Sequence, residues 1–173
     1  MNAVFLDRDG VINRVTVRDG HAYSPRSCRE FEILNGVPAA TARLRAARYR
    51  VVVVSNQPDI ARNKLSPEDL EWMTDEIRRE LAVDDVVVCP HDDDDGCTCR
   101  KPKPGMLLDS ARRWGIDMAS SYMIGDNWKD MVAGRPAGCR CILIDAEYNH
   151  DVTCEWRVRD LTEAVNIVLA QEG

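Results

Sequence analysis

Three stretches of the chain hold residue types whose spacing could do chemistry. The first is Asp7-Arg8-Asp9-Gly10, directly after the apolar run Ala-Val-Phe-Leu. Carboxylates at i and i+2 of an extended chain point to the same side. Like charges that close raise one another's pKa unless a cation lies between them. The pair therefore suits a magnesium site, or a nucleophile beside an acid/base, and a solvated turn has the same composition. The second stretch is Gly125-Asp126-Asn127-Trp128-Lys129-Asp130 after Ser-Tyr-Met-Ile. It puts carboxylates at a strand-to-helix junction, where they can bind a hard cation or cap the helix. The third is Cys89-x-His91-x5-Cys97-x-Cys99. A Cys₃His set closes zinc tetrahedrally with no open position, so this is read as a structural zinc loop. Asp92–Asp95 interrupt it and read as its solvated tip.

The elements that must position these residues alternate. β-Branched runs are expected as strands at 3–6, 49–55, 86–89, 121–125 and 141–144. Helical patterns run from Gly36-Val37-Pro38 to about Arg48, from Ser66-Pro67 to about Ala82, from about Pro104 to Gly115, from about Lys129 to Ala137, and from about Leu161. In the second of these, Leu70, Met73, Ile77 and Leu81 share a face. The polar segment from Arg8 to about Asn35 has no clear period and reads as loop. Buried strands alternating with helices imply a three-layer α/β domain with a parallel sheet, and active residues belong at the carboxyl ends of its strands. Ser55-Asn56-Gln57 lies at such an end, a hydroxyl and two amides at a place suited to an anion.

At 173 residues and 45% hydrophobic, the chain can bury one core and is read as a single domain over 1–173. A net charge of −6 and a pI near 5.1 argue against a nucleic-acid or anionic-membrane surface, so any phosphate binding must be local. No apolar run approaches the ~20 residues of a membrane span, and Asp7 comes too early for a secretory signal, so a cytoplasmic protein is expected. Of the seven cysteines, Cys28, Cys139, Cys141 and Cys154 lie outside the cluster and are expected as buried small hydrophobes. His21 and His150 have no partners at ligand spacing and are expected at the surface.

Together, Asp-x-Asp-Gly after the first strand, Ser55 after the second, Lys101 after a later one and Gly-Asp-x-x-x-Asp resemble the haloacid-dehalogenase (HAD) superfamily of aspartate-nucleophile phosphatases. More narrowly, LDRDGVIN, VVVSNQPDIAR, CPH…CTCRKPKPGMLL and IDMASSYMIGDNWKDM resemble the D-glycero-D-manno-heptose 1,7-bisphosphate 7-phosphatases and the related histidinol-phosphate phosphatase domain, over Val4 to about Asp145. The resemblance implies a Rossmann-like HAD fold without a separate cap domain. It also implies a Mg²⁺-dependent phosphatase that removes the C7 phosphate of a heptose bisphosphate through an aspartyl-phosphate, with histidinol phosphate as the alternative substrate. By it, Asp7 is the nucleophile and Asp9 the acid/base. Mg²⁺ is held by Asp7, Asp126 and the main-chain carbonyl of Asp9. Ser55 and Lys101 bind the transferring phosphoryl group, and Asn56, Arg62 and Arg100 face phosphate or substrate. The resemblance supports zinc at Cys89, His91, Cys97 and Cys99, and a monomer is expected. Asn127 departs from it, standing where the heptose enzymes commonly have lysine, with Lys129 or Arg100 as candidates to compensate. Substrate choice is expected in segments 13–30 and 57–65 and in the zinc loop.

Overall fold

A computed structural model describes residues 1–171; the expected domain runs to Gly173, and its last two residues lie outside the described residues. The strands are β1 (Ala3–Leu6), β2 (Thr16–Arg18), β3 (His21–Tyr23), β4 (Arg50–Asn56), β5 (Asp85–Cys89), β6 (Tyr122–Gly125), β7 (Arg140–Ile144) and β8 (Trp156–Val158). The helices are α1 (Val37–Ala46), α2 (Pro67–Leu81), α3 (Gly105–Trp114), α4 (Trp128–Ala137) and α5 (Leu161–Ala170). Six strands form one parallel sheet in the order β5-β4-β1-β6-β7-β8.

Period-two alternation divides the core between the two sheet faces. Val4, Leu6, Val51, Val53 and Ile124 pack on the side of α1, α2 and α5 with Leu44, Ile77 and Val165. Ala3, Phe5, Val52, Val54 and Met123 pack on the side of α3 and α4 with Leu107 and Met131. Strands β1, β4 and β6 are buried on both sides, which is why they read as unbroken apolar runs. Along α2, Met73, Ile77 and Leu81 are buried while Leu70, expected on the same face, is half-buried.

Two elements depart from expectation. The segment after β1 is not irregular throughout: β2 and β3 form an antiparallel hairpin, with Arg18 opposite His21. Its two-residue turn, Asp19-Gly20, has φ of 50° and 71°, the positive pair that Asp-Gly supplies in tight hairpins. Strand β8 adds an edge to the sheet beside β7. Among the described residues, no helix is long and apolar enough to cross a membrane. Cys139 and Cys141 are buried as expected, whereas Cys28 and Cys154 are only half-buried.

Candidate active site

The carboxyl ends of β5, β4, β1 and β6 lie side by side, on either side of the point where the strand order turns outward from β1. A cavity of about 520 Å³ opens there, and Asp7, Asp9, Lys101, Asp126 and Asp130 all line it. Residues 119 positions apart are thus neighbours.

Lys101 is the hub. The residue is 2% exposed, and its ammonium donates to Asp130 Oδ1 at 2.6 Å and to the Val54 carbonyl at 2.9 Å and forms an ion pair with Asp7 Oδ1 at 2.8 Å. Three oxygens thus surround the ammonium. Burial alone would lower its pKa, but the charges of Asp130 and Asp7 raise it, so it stays a cation. Asp7 Oδ1 also accepts the backbone N–H of Arg8 at 2.7 Å, while Oδ2 accepts no hydrogen bond from the described residues. One oxygen of Asp7 is anchored and the other is open. Asp130 both supports Lys101 and caps a helix. Its Oδ1 takes Lys101, and its Oδ2 accepts from the Asn127 N–H in a capping box at the start of α4. Gly125 makes this approach possible, because a Cβ there would lie 2.2 Å from Asp130 Oδ2.

Asp7, Asp126 and Asp130 bring carboxylate oxygens within 4.8 Å of one another. Burial, the charge of Asp130 and that of Asp9 push Asp7 up to about 7 in spite of Lys101. Burial and the charges of Asp7 and Asp130 push Asp126 well above the carboxylate range, in spite of a hydrogen bond from Tyr148. Three carboxylates against one ammonium leave an excess of negative charge. Such a set fits a hard divalent cation with oxygen ligands. Gly10 admits Asp126 to this cluster: it has φ +82°, and a Cβ would lie 1.9 Å from Asp126 Oδ2.

Asp9 does not join the cluster. Its side chain accepts from Arg8 Nη2 at 2.9 Å, Asn13 Nδ2 at 2.9 Å, Ser24 Oγ at 3.0 Å and Gln57 Nε2 at 2.7 Å. Burial alone would raise its pKa, but the Arg8 guanidinium and the bonds from Asn13 and Gln57 outweigh it and hold Asp9 below its ordinary value. The two carboxylates that sequence spacing put on one side thus have separate partners and opposite shifts.

Two expected phosphate contacts sit differently. Ser55 is fully buried, and its Oγ accepts from Gln57 Nε2 at 2.8 Å, so the Gln57 amide bridges Ser55 to Asp9. Asn56 spends its amide on Lys101, accepting that residue's N–H at 3.0 Å and donating to its carbonyl at 2.9 Å. It positions the lysine. Gln57, expected at an anion site, instead holds Asp9, while Asn13 and Ser24 were not singled out from sequence, nor were Tyr148 and Asn149, whose side chains reach Asp126 from 22 and 23 residues away.

Cys89, His91, Cys97 and Cys99 converge as the spacing predicted. Their ligand atoms approach at 3.0 Å (Cys89–Cys99), 3.3 Å (His91 Nδ1–Cys99), 3.5 Å (His91 Nδ1–Cys89) and 3.7 Å (Cys89–Cys97). A tetrahedron with Zn–S bonds of about 2.3 Å has edges of about 3.8 Å. Burial pushes the Cys89 thiol up to about 12. Burial works the same way on Cys97, but the Arg100 backbone N–H and the neighbouring thiols bring it down to about 7. The aspartates between the ligands are not merely a solvated tip. Asp92 is half-buried and takes Arg62 at 2.6 Å through both Nε and Nη2; Asp93 takes Arg100 Nε at 2.8 Å. Arg62 and Arg100 both line the cavity. The wall continues from Arg62 to Asp59, 3.7 Å away, and from Asp59 to Arg26 at 2.7 Å. His21, expected merely at the surface, also borders the cavity.

Comparison with known proteins agrees with this arrangement. A family model described as HAD-hydrolase-like matches residues 98–160. The chain is 41% identical over 149 residues to a D-glycero-beta-D-manno-heptose-1,7-bisphosphate 7-phosphatase of Bordetella bronchiseptica, covering 83% of this chain and 80% of the relative. The chain belongs to that phosphatase family. A family member from Vibrio cholerae is also 41% identical, over 79% of this chain and 76% of its own. The crystal structure of D,D-heptose 1,7-bisphosphate phosphatase from B. bronchiseptica, complexed with magnesium and phosphate, matches with a TM-score of 0.87 at 35% identity, covering 100% of both chains. Within this family frame, Asn127 is occupied as a cap, its Oδ1 accepting the Lys129 N–H at 3.1 Å. Lys129 and Arg100, the candidates to compensate, both line the cavity.

Proposed function

We propose that this chain is a Mg²⁺-dependent phosphatase that removes the C7 phosphate of D-glycero-D-manno-heptose 1,7-bisphosphate through an aspartyl-phosphate on Asp7. The observation that carries the reading is Asp7 itself: one oxygen is held by Lys101 and the Arg8 N–H, the other is open, and the residue lines a cavity where strand ends meet. Asp7 Oδ2 attacks phosphorus as the bond to the C7 oxygen breaks, and Asp9 gives that oxygen a proton. Asp9 is ionised while the site is free of phosphate. A dianionic phosphate beside it raises its pKa, so it gains its proton as substrate binds. In the second half, Asp9 takes a proton from water, whose oxygen attacks the phosphorus and releases the Asp7 carboxylate.

Mg²⁺ fits the carboxylate excess; Asp7, Asp126 and the main-chain carbonyl of Asp9 would hold it, and when bound it supplies positive charge against the phosphoryl oxygens. Lys101 offsets charge on Asp7, and Asn56 keeps the lysine in register. Zinc in the Cys89, His91, Cys97 and Cys99 set would hold the loop that carries Arg100. A cavity of about 520 Å³ suits a phosphorylated sugar. Lys64 and Lys129 line it without an ion pair among the described residues, a wall suited to a second phosphate rather than to the cationic end of histidinol phosphate.

Phosphorus NMR of the Mg²⁺-loaded enzyme with heptose 1,7-bisphosphate tests this. The C7 signal should give way to inorganic phosphate while the C1 signal persists. Asp7→Asn should lower kcat/KM by at least ~10³-fold. Hydrolysis of histidinol phosphate but not of the bisphosphate would transfer the assignment to the rival substrate. An active Asp7→Asn would end the nucleophile assignment.

A further inference from the structure

Nothing in the reaction as derived uses strand β8 or residues 145–152, yet this region is tied to Asp126 by a continuous set of hydrogen bonds. Asn149 is 3% exposed and uses all four of its amide hydrogen bonds. Its Nδ2 donates to the main-chain carbonyls of Asp126 at 2.7 Å and Ile144 at 2.8 Å; its Oδ1 accepts the Ala146 N–H at 3.1 Å and Arg157 Nη1 at 2.9 Å. One side chain thereby joins the carboxyl ends of β6 and β7 to a residue of β8. The adjacent Tyr148 donates its hydroxyl to Asp126 Oδ2. The loop itself is clasped by Arg157. Besides Asn149, its guanidinium reaches Asp145 Oδ1 at 2.7 Å and the carbonyls of Val152 at 2.9 Å, Asn149 at 3.2 Å and His150 at 3.5 Å.

We infer that Tyr148, Asn149 and Arg157 are positioning residues for the metal carboxylate: β8 holds the loop, the loop holds Asp126, and Asp126 is thereby presented to the cation. The inference rests on the reading of Asp126 as a Mg²⁺ ligand. Tyr148 and Gly10 both act at Oδ2, the first by hydrogen bonding to it and the second by leaving room for it. With Oδ2 fixed from the loop side, the rotation of the carboxylate is set before the cation arrives. Without that bond, Asp126 must be oriented by the cation itself, at a cost in affinity. Groups that orient a metal ligand from behind typically account for about 10–100-fold in metal affinity. Arg157 acts one step further out, through a fork of donors that a lysine cannot reproduce.

The test is calorimetric titration of Mg²⁺ into the substrate-free enzyme for wild type, Tyr148→Phe, Arg157→Lys and Asp126→Asn, with each melting temperature recorded. Tyr148→Phe should weaken Mg²⁺ binding about 10-fold or more, and Arg157→Lys should shift it less in the same direction. The Mg²⁺ concentration for half-maximal activity should move by the same factors. If both variants are folded and bind Mg²⁺ as wild type does while Asp126→Asn has lost it, the positioning claim is overturned and the metal assignment stands. If wild type binds no Mg²⁺, or Asp126→Asn binds it undiminished, the metal assignment fails and the positioning claim falls with it. A fall in melting temperature with unchanged Mg²⁺ affinity would mark the residues as structural only and also overturn the claim.

Discussion

The two ligand clusters are built on opposite plans. The thiols and imidazole come from the end of β5 and the single loop after it. The carboxylates of Asp7, Asp126 and Asp130 come from the ends of β1 and β6 and the first turn of α4, and Lys101 comes from a fourth segment. The loop can gather its ligands locally. The carboxylates meet only once β1 lies between β4 and β6. Their electrostatics differ as well. In the loop, a backbone N–H favours the Cys97 thiolate. In the cleft, burial and mutual repulsion raise Asp7 and Asp126. The local cluster is a mount whose own geometry suits closure. The distributed one carries a charge imbalance that a cation and a phosphate together relieve, which is what a reaction centre needs.

After loss of the nucleophile itself, removing the hub of the distributed cluster should have the largest effect. Lys101→Met takes away the one ammonium and leaves Asp7 and Asp130 facing each other in a buried site. We expect a kcat loss of about 10²–10³-fold. Mg²⁺ binding should persist, because the cation then answers a larger negative excess. Steady-state kinetics beside calorimetry would show it, and loss of Mg²⁺ binding in a folded Lys101→Met would mean that the ammonium organises the cluster rather than offsetting its charge.

The local cluster should respond differently. In Cys97→Ser, the zinc content measured by metal analysis should fall from about one equivalent towards none. The reaction centre keeps its carboxylates, so Mg²⁺ binding should survive. Activity should still fall roughly 10²-fold, because Arg100 and Lys101 follow directly on the loop and small displacements of positioning groups cost that much. Zinc-free enzyme with full activity would break the idea of a mount.

The same contrast explains what could be read from the chain. Zinc-ligand spacing is local, and so is Asp-x-Asp-Gly at a strand end, so both are visible residue by residue. Lys101 is one of three cations at 100–103, and only the resemblance singled it out. The partnership with Asp9 has no signal: Gln57 is marked only as a strand-end amide and lies 48 residues away, and Ser24, 15 away, is an ordinary polar residue until the chain is folded. Strand β8 is three residues long, too short to show a period. The β2–β3 hairpin reads as loop in the sequence: Asp19-Gly20 is a turn signal, but its strands are largely exposed and lack the alternation that a buried face imposes. The aspartates of the zinc loop look like a solvated run, and only the fold shows Asp92 and Asp93 on the arginines of the cavity wall.

The smallest effect expected is thermal, and it separates the clusters by pH. Asp7 is raised to about 7 in the folded protein. Unfolded, it titrates in the ordinary carboxylate range. Between those values the folded state holds a proton that the unfolded state has lost, so this group makes metal-free protein less stable as pH rises through the window, with no further loss above it. Mg²⁺ needs the ionised carboxylate, so its stabilisation must run the opposite way and grow with pH. Between pH 6 and pH 8, about a tenfold gain in Mg²⁺ affinity corresponds to about 1.4 kcal/mol, or a Mg²⁺-induced rise in Tm larger by roughly 3–5 °C at the higher pH. Differential scanning calorimetry with and without Mg²⁺ at the two pH values, zinc being kept constant, reads the ionisation of the two metal carboxylates, Asp7 and Asp126, together. Zinc contributes equally to both arms, so a Mg²⁺ increment that is the same at pH 6 and pH 8 would mean that Asp7 is already ionised in the metal-free cleft and that Lys101 alone balances it.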